Sequence, residues 1–253
     1  MIGGAGRAAD GAGRARGMMV DVSDLPSVDG GCGLVLDRVG VRFDDVVALD
    51  GVSLRLPPRS VLGLVGENAV GKTTVLNVIS GAVEATSGTV TMDGEPVQPG
   101  RPVVGRYDSG RGGTPTVSVT DHVRAGTRTT VGRWRLRLPL KPSAAALATL
   151  AATLDSVGIS TEEAEQPMPE LPLLVQRRAE LARVLIRDPA LVLLDEPFAG
   201  LAHDLALALA ATIAEIPRRR DCAVVLVDHD REAVAACAAT VVTLAAGRIT
   251  ETA

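Results

Sequence analysis

The chain has 253 residues, with 26 Lys and Arg against 30 Asp and Glu and a formal net charge of −4. Its residues are 46% hydrophobic but only 2% aromatic, so Ala, Val and Leu must build the core, and neither aromatic stacking platforms nor the basic face of a nucleic-acid binder is expected. No uninterrupted apolar run reaches the ~18 residues of a membrane-spanning helix, and the length suggests one domain or a domain with a subdomain.

Nine of the 27 glycines fall at or before Gly33, in a stretch with too little apolar content to offset the entropy of ordering. We expect residues 1–33 to be a disordered tail without the apolar core of a signal peptide; Met18 and Met19 leave a downstream start open. Leu34–Val39 and Val52–Leu56 alternate apolar and polar residues, as half-buried strands do. Val61–Val65 (VLGLV) is apolar throughout, as a buried parallel strand is. A Gly-rich turn, a helix from Lys72 to about Ser80 and a strand over Thr89–Met92 follow. Residues 115–142 read as irregular and basic, with helices over Ser143–Val157 and Gln176–Arg187 beyond them.

The last third repeats one theme. Strands over Leu191–Leu194, Ala223–Val227 and Thr240–Leu244 alternate with helices over Asp204–Ile216 and Asp230–Ala238. The expected fold is therefore α/β: a mainly parallel sheet flanked by helices, a small antiparallel β part, and a helical subdomain over about 115–188. Cys32, Cys222 and Cys237 lack metal-ligand spacing and read as free thiols of a reducing cytoplasm.

Three motifs carry chemistry. Gly66, Glu67, Asn68, Ala69, Val70, Gly71, Lys72 and Thr73 match GxxxxGK[ST] between a buried strand and a helix, with Thr74 next. Backbone N–H groups and a helix N-terminus there wrap a polyphosphate, Lys72 reaches the β and γ phosphates, and the Thr73 hydroxyl ligates Mg²⁺. Asp195 and Glu196 end the strand Leu191–Leu194, at the sheet edge where ligands bind. Asp195 is placed to hold Mg²⁺ and Glu196 to activate the attacking water; the plainer alternative is an acidic helix cap. His229 ends the next buried strand and points to the same edge, against the plainer reading of a solvated loop residue. His122 and His203 are read as ordinary structural histidines.

Together, the phosphate loop, Gln176–Arg183 (QRRAELAR), LVLLDEP and VDHD resemble the ATP-binding subunits of ABC transporters. With the WRLRLP segment at Trp134–Pro139, they most resemble those of branched-chain amino-acid importers. The resemblance implies a P-loop NTPase that uses ATP and Mg²⁺, at the cytoplasmic face of the cell membrane. Its partners would be transmembrane permease subunits, a second ATPase subunit in a head-to-tail dimer and, indirectly, a periplasmic or extracellular substrate-binding protein, with no nucleic acid. Catalytic roles would fall to Glu196 and His229, metal ligation to Thr73 and Asp195, and Phe43 would stack on adenine.

Four departures from the family pattern stand out. The signature LSGGQ is replaced by Leu171-Pro172-Leu173-Leu174-Val175, whose proline lacks an N–H and whose leucines crowd a phosphate. No glutamine lies near 104–109, Ala202 stands where an Asp closes the D-loop, and Ala69 stands at a Gly position of the phosphate loop. The expectation is a subunit that hydrolyses ATP beside an intact partner; the alternative is a catalytically impaired nucleotide-binding regulatory subunit.

Overall fold

The computed structural model describes residues 33–97, 104–108, 116–127 and 142–252. The proposed tail over 1–33 lies outside them except for Gly33, as do Cys32 and the WRLRLP segment.

Strands β1 (Leu34–Phe43), β2 (Val46–Leu56), β4 (Ser87–Met92) and β5 (Glu95–Pro96) form an antiparallel sheet in the order β2-β1-β4-β5. The larger sheet runs β10-β9-β3-β8-β7-β6, from β3 (Val61–Val65), β6 (Val104–Asp108), β7 (Leu191–Asp195), β8 (Ala223–Asp228), β9 (Thr240–Ala245) and β10 (Arg248–Thr252). Its strands pair in parallel except for β10, which closes one edge antiparallel to β9. The helices are α1 (Lys72–Ile79), α2 (Val119–Ala125), α3 (Ala144–Ser156), α4 (Thr161–Glu165), α5 (Leu173–Leu185), α6 (His203–Arg220) and α7 (Arg231–Cys237). The α/β architecture is thus the expected one.

Side-chain alternation on the central strands divides the core in two. Leu62, Leu64, Leu191, Leu193, Val225 and Val227 pack toward α1 and the small sheet. Val61, Val65, Val192, Leu194, Val224 and Leu226 pack against the helices of the opposite face. Strands covered on both faces need apolar residues at every position, which explains the unbroken runs VLGLV, LVLL and AVVLV.

Two expectations need correction. The irregular stretch 115–142 contains α2, whose Ser118 side chain accepts from the Asp121 N–H; residues 128–141 lie outside the described residues. Helix α5 starts at Leu173 rather than Gln176, because Pro172 with φ −54° serves as its N-cap. No helix among the described residues is long and apolar enough to cross a membrane.

Candidate nucleotide site

The parallel pairing sets β3, β8, β7 and β6 side by side, so their C-terminal ends open at one edge. The loop of residues 66–71 leaves β3 there and enters α1. Its shape depends on close backbone approach: a Cβ on Gly66 would meet the Leu244 carbonyl oxygen at 2.3 Å, and Gly71 turns into α1 at φ 107°. The Gly247 N–H donates to the Val70 carbonyl at 3.2 Å, bracing the loop from the β9–β10 turn. Ala69 holds φ 62°, a left-handed conformation that strains a residue with a Cβ.

Lys72 is 6% exposed, and its Nζ donates to the carbonyls of Gly66 and Glu67, both at 2.7 Å. The ammonium therefore lies inside its own loop, while Glu67, Asn68, Ala69 and Thr73 face solvent and Thr74 is half-buried. A polyphosphate drawing Lys72 outward would exchange two neutral acceptors for charged ones, and charge-assisted bonds are the stronger.

The acidic side of the site joins three elements. Thr73 Oγ1 lies 3.4 Å from Asp195 Oδ1, so the two candidate metal ligands already meet. Two hard oxygen donors between a helix N-terminus and a strand end suit Mg²⁺, which takes few protein ligands and keeps its phosphates and waters. Arg106 on β6 reaches the same carboxylate: its Nη2 donates to Asp195 Oδ2 at 3.3 Å and its Nη1 to Asn77 Oδ1 at 2.6 Å. Glu196 sits at φ 49°, and its N–H donates to the Val227 carbonyl at 2.8 Å, which ties its backbone to β8. His229 is exposed at the end of β8, with Nδ1 3.3 Å from Asp228 Oδ1. Sequence reading singled out neither Arg106 nor Asp228: Arg106 reaches Asn77 and Asp195, and one of the bonds of Asp228 reaches Phe198, all of them distant in sequence.

Phe43 closes β1 opposite Val46 and is 48% exposed; Val46 and Val47 are exposed beside it. The hairpin leads along β2 to Ala48, whose carbonyl oxygen would lie 2.7 Å from a Cβ on Gly71. The Leu171–Val175 segment presents Leu173, 37% exposed, at the N-terminus of α5 with no side-chain cap. Gln176 folds its side chain back onto the Leu171 carbonyl at 2.8 Å. Burial pushes the thiols of Cys222 and Cys237 up, to about 11 and about 12, so both stay protonated and unreactive near neutrality. His122 is buried and His203 exposed, 3.6 Å from Glu232.

The profile of the family described as ABC transporter matches residues 49–199, from β2 to the loop after β7. The chain belongs to that family. Among ABC transporter subunits, it is 30% identical over 213 residues to the high-affinity branched-chain amino acid transport ATP-binding protein BraF of Pseudomonas aeruginosa, covering 79% of this chain and 83% of that one. It is 28% identical over 221 residues to the protein of the same description, LivG, of Escherichia coli, with the same coverage. The ribose import ATP-binding protein RbsA of Burkholderia mallei is 32% identical over 205 residues, covering 78% of this chain but 38% of that protein. Among solved structures, CbiO1 of Clostridium perfringens superposes with a TM-score of 0.76 at 20% identity, covering 88% of each chain. A nucleotide-free ATP-binding cassette from an ABC transporter superposes at 0.75 and 20%, covering 87% of this chain and 90% of that one. The shared fold is thus that of an ABC ATPase.

Proposed function

We propose that this subunit binds and hydrolyses ATP to energise an ABC importer of branched-chain or related amino acids. It would work at the cytoplasmic face of the membrane beside separate permease subunits and be served indirectly by a substrate-binding protein. The observation that supports hydrolysis best is the meeting of Lys72, Thr73, Asp195, Glu196 and His229 at one sheet edge. In this reading Gly66–Thr74 cradle the phosphates and Phe43 stacks on adenine. Thr73 and Asp195 hold Mg²⁺, which when bound supplies positive charge to the β and γ phosphates. Glu196 takes a proton from the attacking water, and His229 contacts the γ-phosphate. The amino-acid assignment rests on the relatives: the branched-chain transport proteins match over 83% of their length and the ribose import protein over 38%.

The opposite face points to a second, different ATPase subunit. In a head-to-tail dimer the N-terminus of α5 meets the partner's γ-phosphate, and here it offers Pro172 and two leucines. Co-purification from native membranes, then ATPase assays with and without the recovered partners, tests both points. Hydrolysis that needs a second ATPase subunit, and is lost in Glu196→Gln, supports the proposal. Equal turnover by the isolated chain overturns the partner requirement. The Arg106 contact on Asp195 favours a second reading, a regulatory subunit that binds ATP without turnover; ATP binding with no hydrolysis beside an intact partner would support it.

A further inference from the structure

Asp228 is the only fully buried carboxylate among the described residues, at 0% exposure. A charge taken out of water needs several donors to hold it, and those present are three backbone N–H groups, with the His229 ring close by. Oδ1 accepts from the His229 N–H at 2.7 Å and the Asp230 N–H at 3.1 Å, and the His229 ring stands 3.3 Å from it. Oδ2 accepts from the Phe198 N–H at 3.1 Å, across to the loop that follows β7. The first two bonds are local turn bonds that any Asx-type side chain makes. The third joins positions 30 residues apart and uses the second oxygen that only a carboxylate has.

Phe198 opens a tight turn: the Ala199 N–H donates to the Glu196 carbonyl at 3.2 Å and the Leu201 N–H to the Phe198 carbonyl at 3.1 Å. Arg177 of α5 donates to the Ala199 carbonyl at 3.1 Å. A continuous path of hydrogen bonds thus runs from the His229 segment through Asp228 and this turn to α5. We propose that Asp228 is a positioning residue that yokes His229 to the 198–202 turn, so that occupancy of the γ-phosphate position is felt at the face turned toward the partner subunit. This rests on the ATPase reading above for its meaning, but not for its test.

Asp228→Asn provides the test in the full-length chain. The amide keeps one oxygen for the His229 and Asp230 N–H groups, and its NH₂ then faces the Phe198 N–H, donor against donor. Hydrogen exchange should speed up by about tenfold or more at Phe198–Leu201 while the β7 and β8 amides keep their protection. Unchanged protection at Phe198, or a loss spread evenly over both strands, overturns the yoke. Should that variant fail to fold, the wild type still decides: the Phe198 amide, held by a buried carboxylate, should exchange at least about tenfold slower than an exposed loop amide, and exchange at the unprotected rate refutes the proposal. In the partner-containing complex, kcat should fall by about tenfold or more with KM for ATP unchanged. A complex whose wild type hydrolyses nothing would sink the ATPase reading and leave the exchange result standing.

Discussion

Helices α1 and α5 both begin where a phosphate could be received, yet their sequences treat that position in opposite ways. Before α1, Gly66 and Gly71 let the backbone close in, and Lys72 supplies a buried ammonium. Before α5, Pro172 removes one donor, and the first helical residue is a part-exposed Leu173. A helix N-terminus is an anion site only when its N–H groups can be approached. One chain therefore carries two unlike helix starts, the contrast on which the proposed second ATPase subunit rests.

The comparison breaks most sharply at Glu196. In the partner-containing complex, Glu196→Gln should lower the ATP hydrolysis rate by about 10²–10⁴-fold, the usual contribution of a positioned general base, and leave ATP affinity unchanged. Turnover at the wild-type rate would mean that the intact-looking side is not the working one. Next in size is the reverse operation on α5. Pro172→Ser with Leu173→Gly and Leu174→Gly should raise the ATPase rate of the isolated chain by about tenfold, roughly the size of one recovered charge-assisted hydrogen bond. No gain, in a variant that still folds by circular dichroism, would put the obstruction elsewhere.

Both ends were readable from sequence to different depths. The loop before α1 was legible in full because its spacing is tied to a buried strand and a helix start, and LVLLDE was legible because its apolar run demands burial on both faces. Helix α2 lies inside the expected helical subdomain but has a weak local signature: it is two turns long and sits among Gly, Pro and Arg, although Ser118 followed by Asp121 is a cap signal. Strand β6 escaped notice because Val104–Asp108 is half polar and lies at the sheet edge, pairing only with β7. The contacts of Arg106 with Asp195 and of Asp228 with Phe198 depend on strand order, which no local pattern encodes. Phe43 lies beyond the strand expected over Leu34–Val39 and is singled out by the family resemblance alone; the structure extends β1 to it and leaves it exposed at a hairpin tip.

A smaller effect separates the two regions by pH. His122 on α2 is buried, and that burial, helped by the nearby Arg183 charge, lowers its pKa from 6.5 to about 4. Between those values the unfolded chain binds more protons than the folded one, so stability rises with pH there and is lost as pH falls from about 6.5 toward 4. Denaturant unfolding of His122→Phe should show a flatter acid limb than wild type over this window. A wild-type limb already flat there would show that the imidazole charges freely in the folded state.

The smallest expected effect tests whether the approachable end is itself free of strain. Ala69 holds φ 62° in the middle of the phosphate loop, a conformation that costs a residue with a Cβ about 1–2 kcal/mol and glycine almost nothing. Ala69→Gly removes that cost but adds about 0.5–1 kcal/mol of backbone entropy to the unfolded chain. The net gain should be at most about 1.5 kcal/mol, a rise in Tm of roughly 3–6 °C at most for a domain of this size. ATP affinity separates two origins of that gain. If the loop is equally strained with and without nucleotide, the affinity stays put while Tm rises. If the strain is relieved when Lys72 leaves the Gly66 and Glu67 carbonyls for the phosphates, glycine removes a driving force of that full size, and affinity falls by about 5- to 30-fold as Tm rises. A fall in Tm would mean that the Ala69 Cβ makes contacts worth more than its strain, and the contrast with α5 would then be one of access alone.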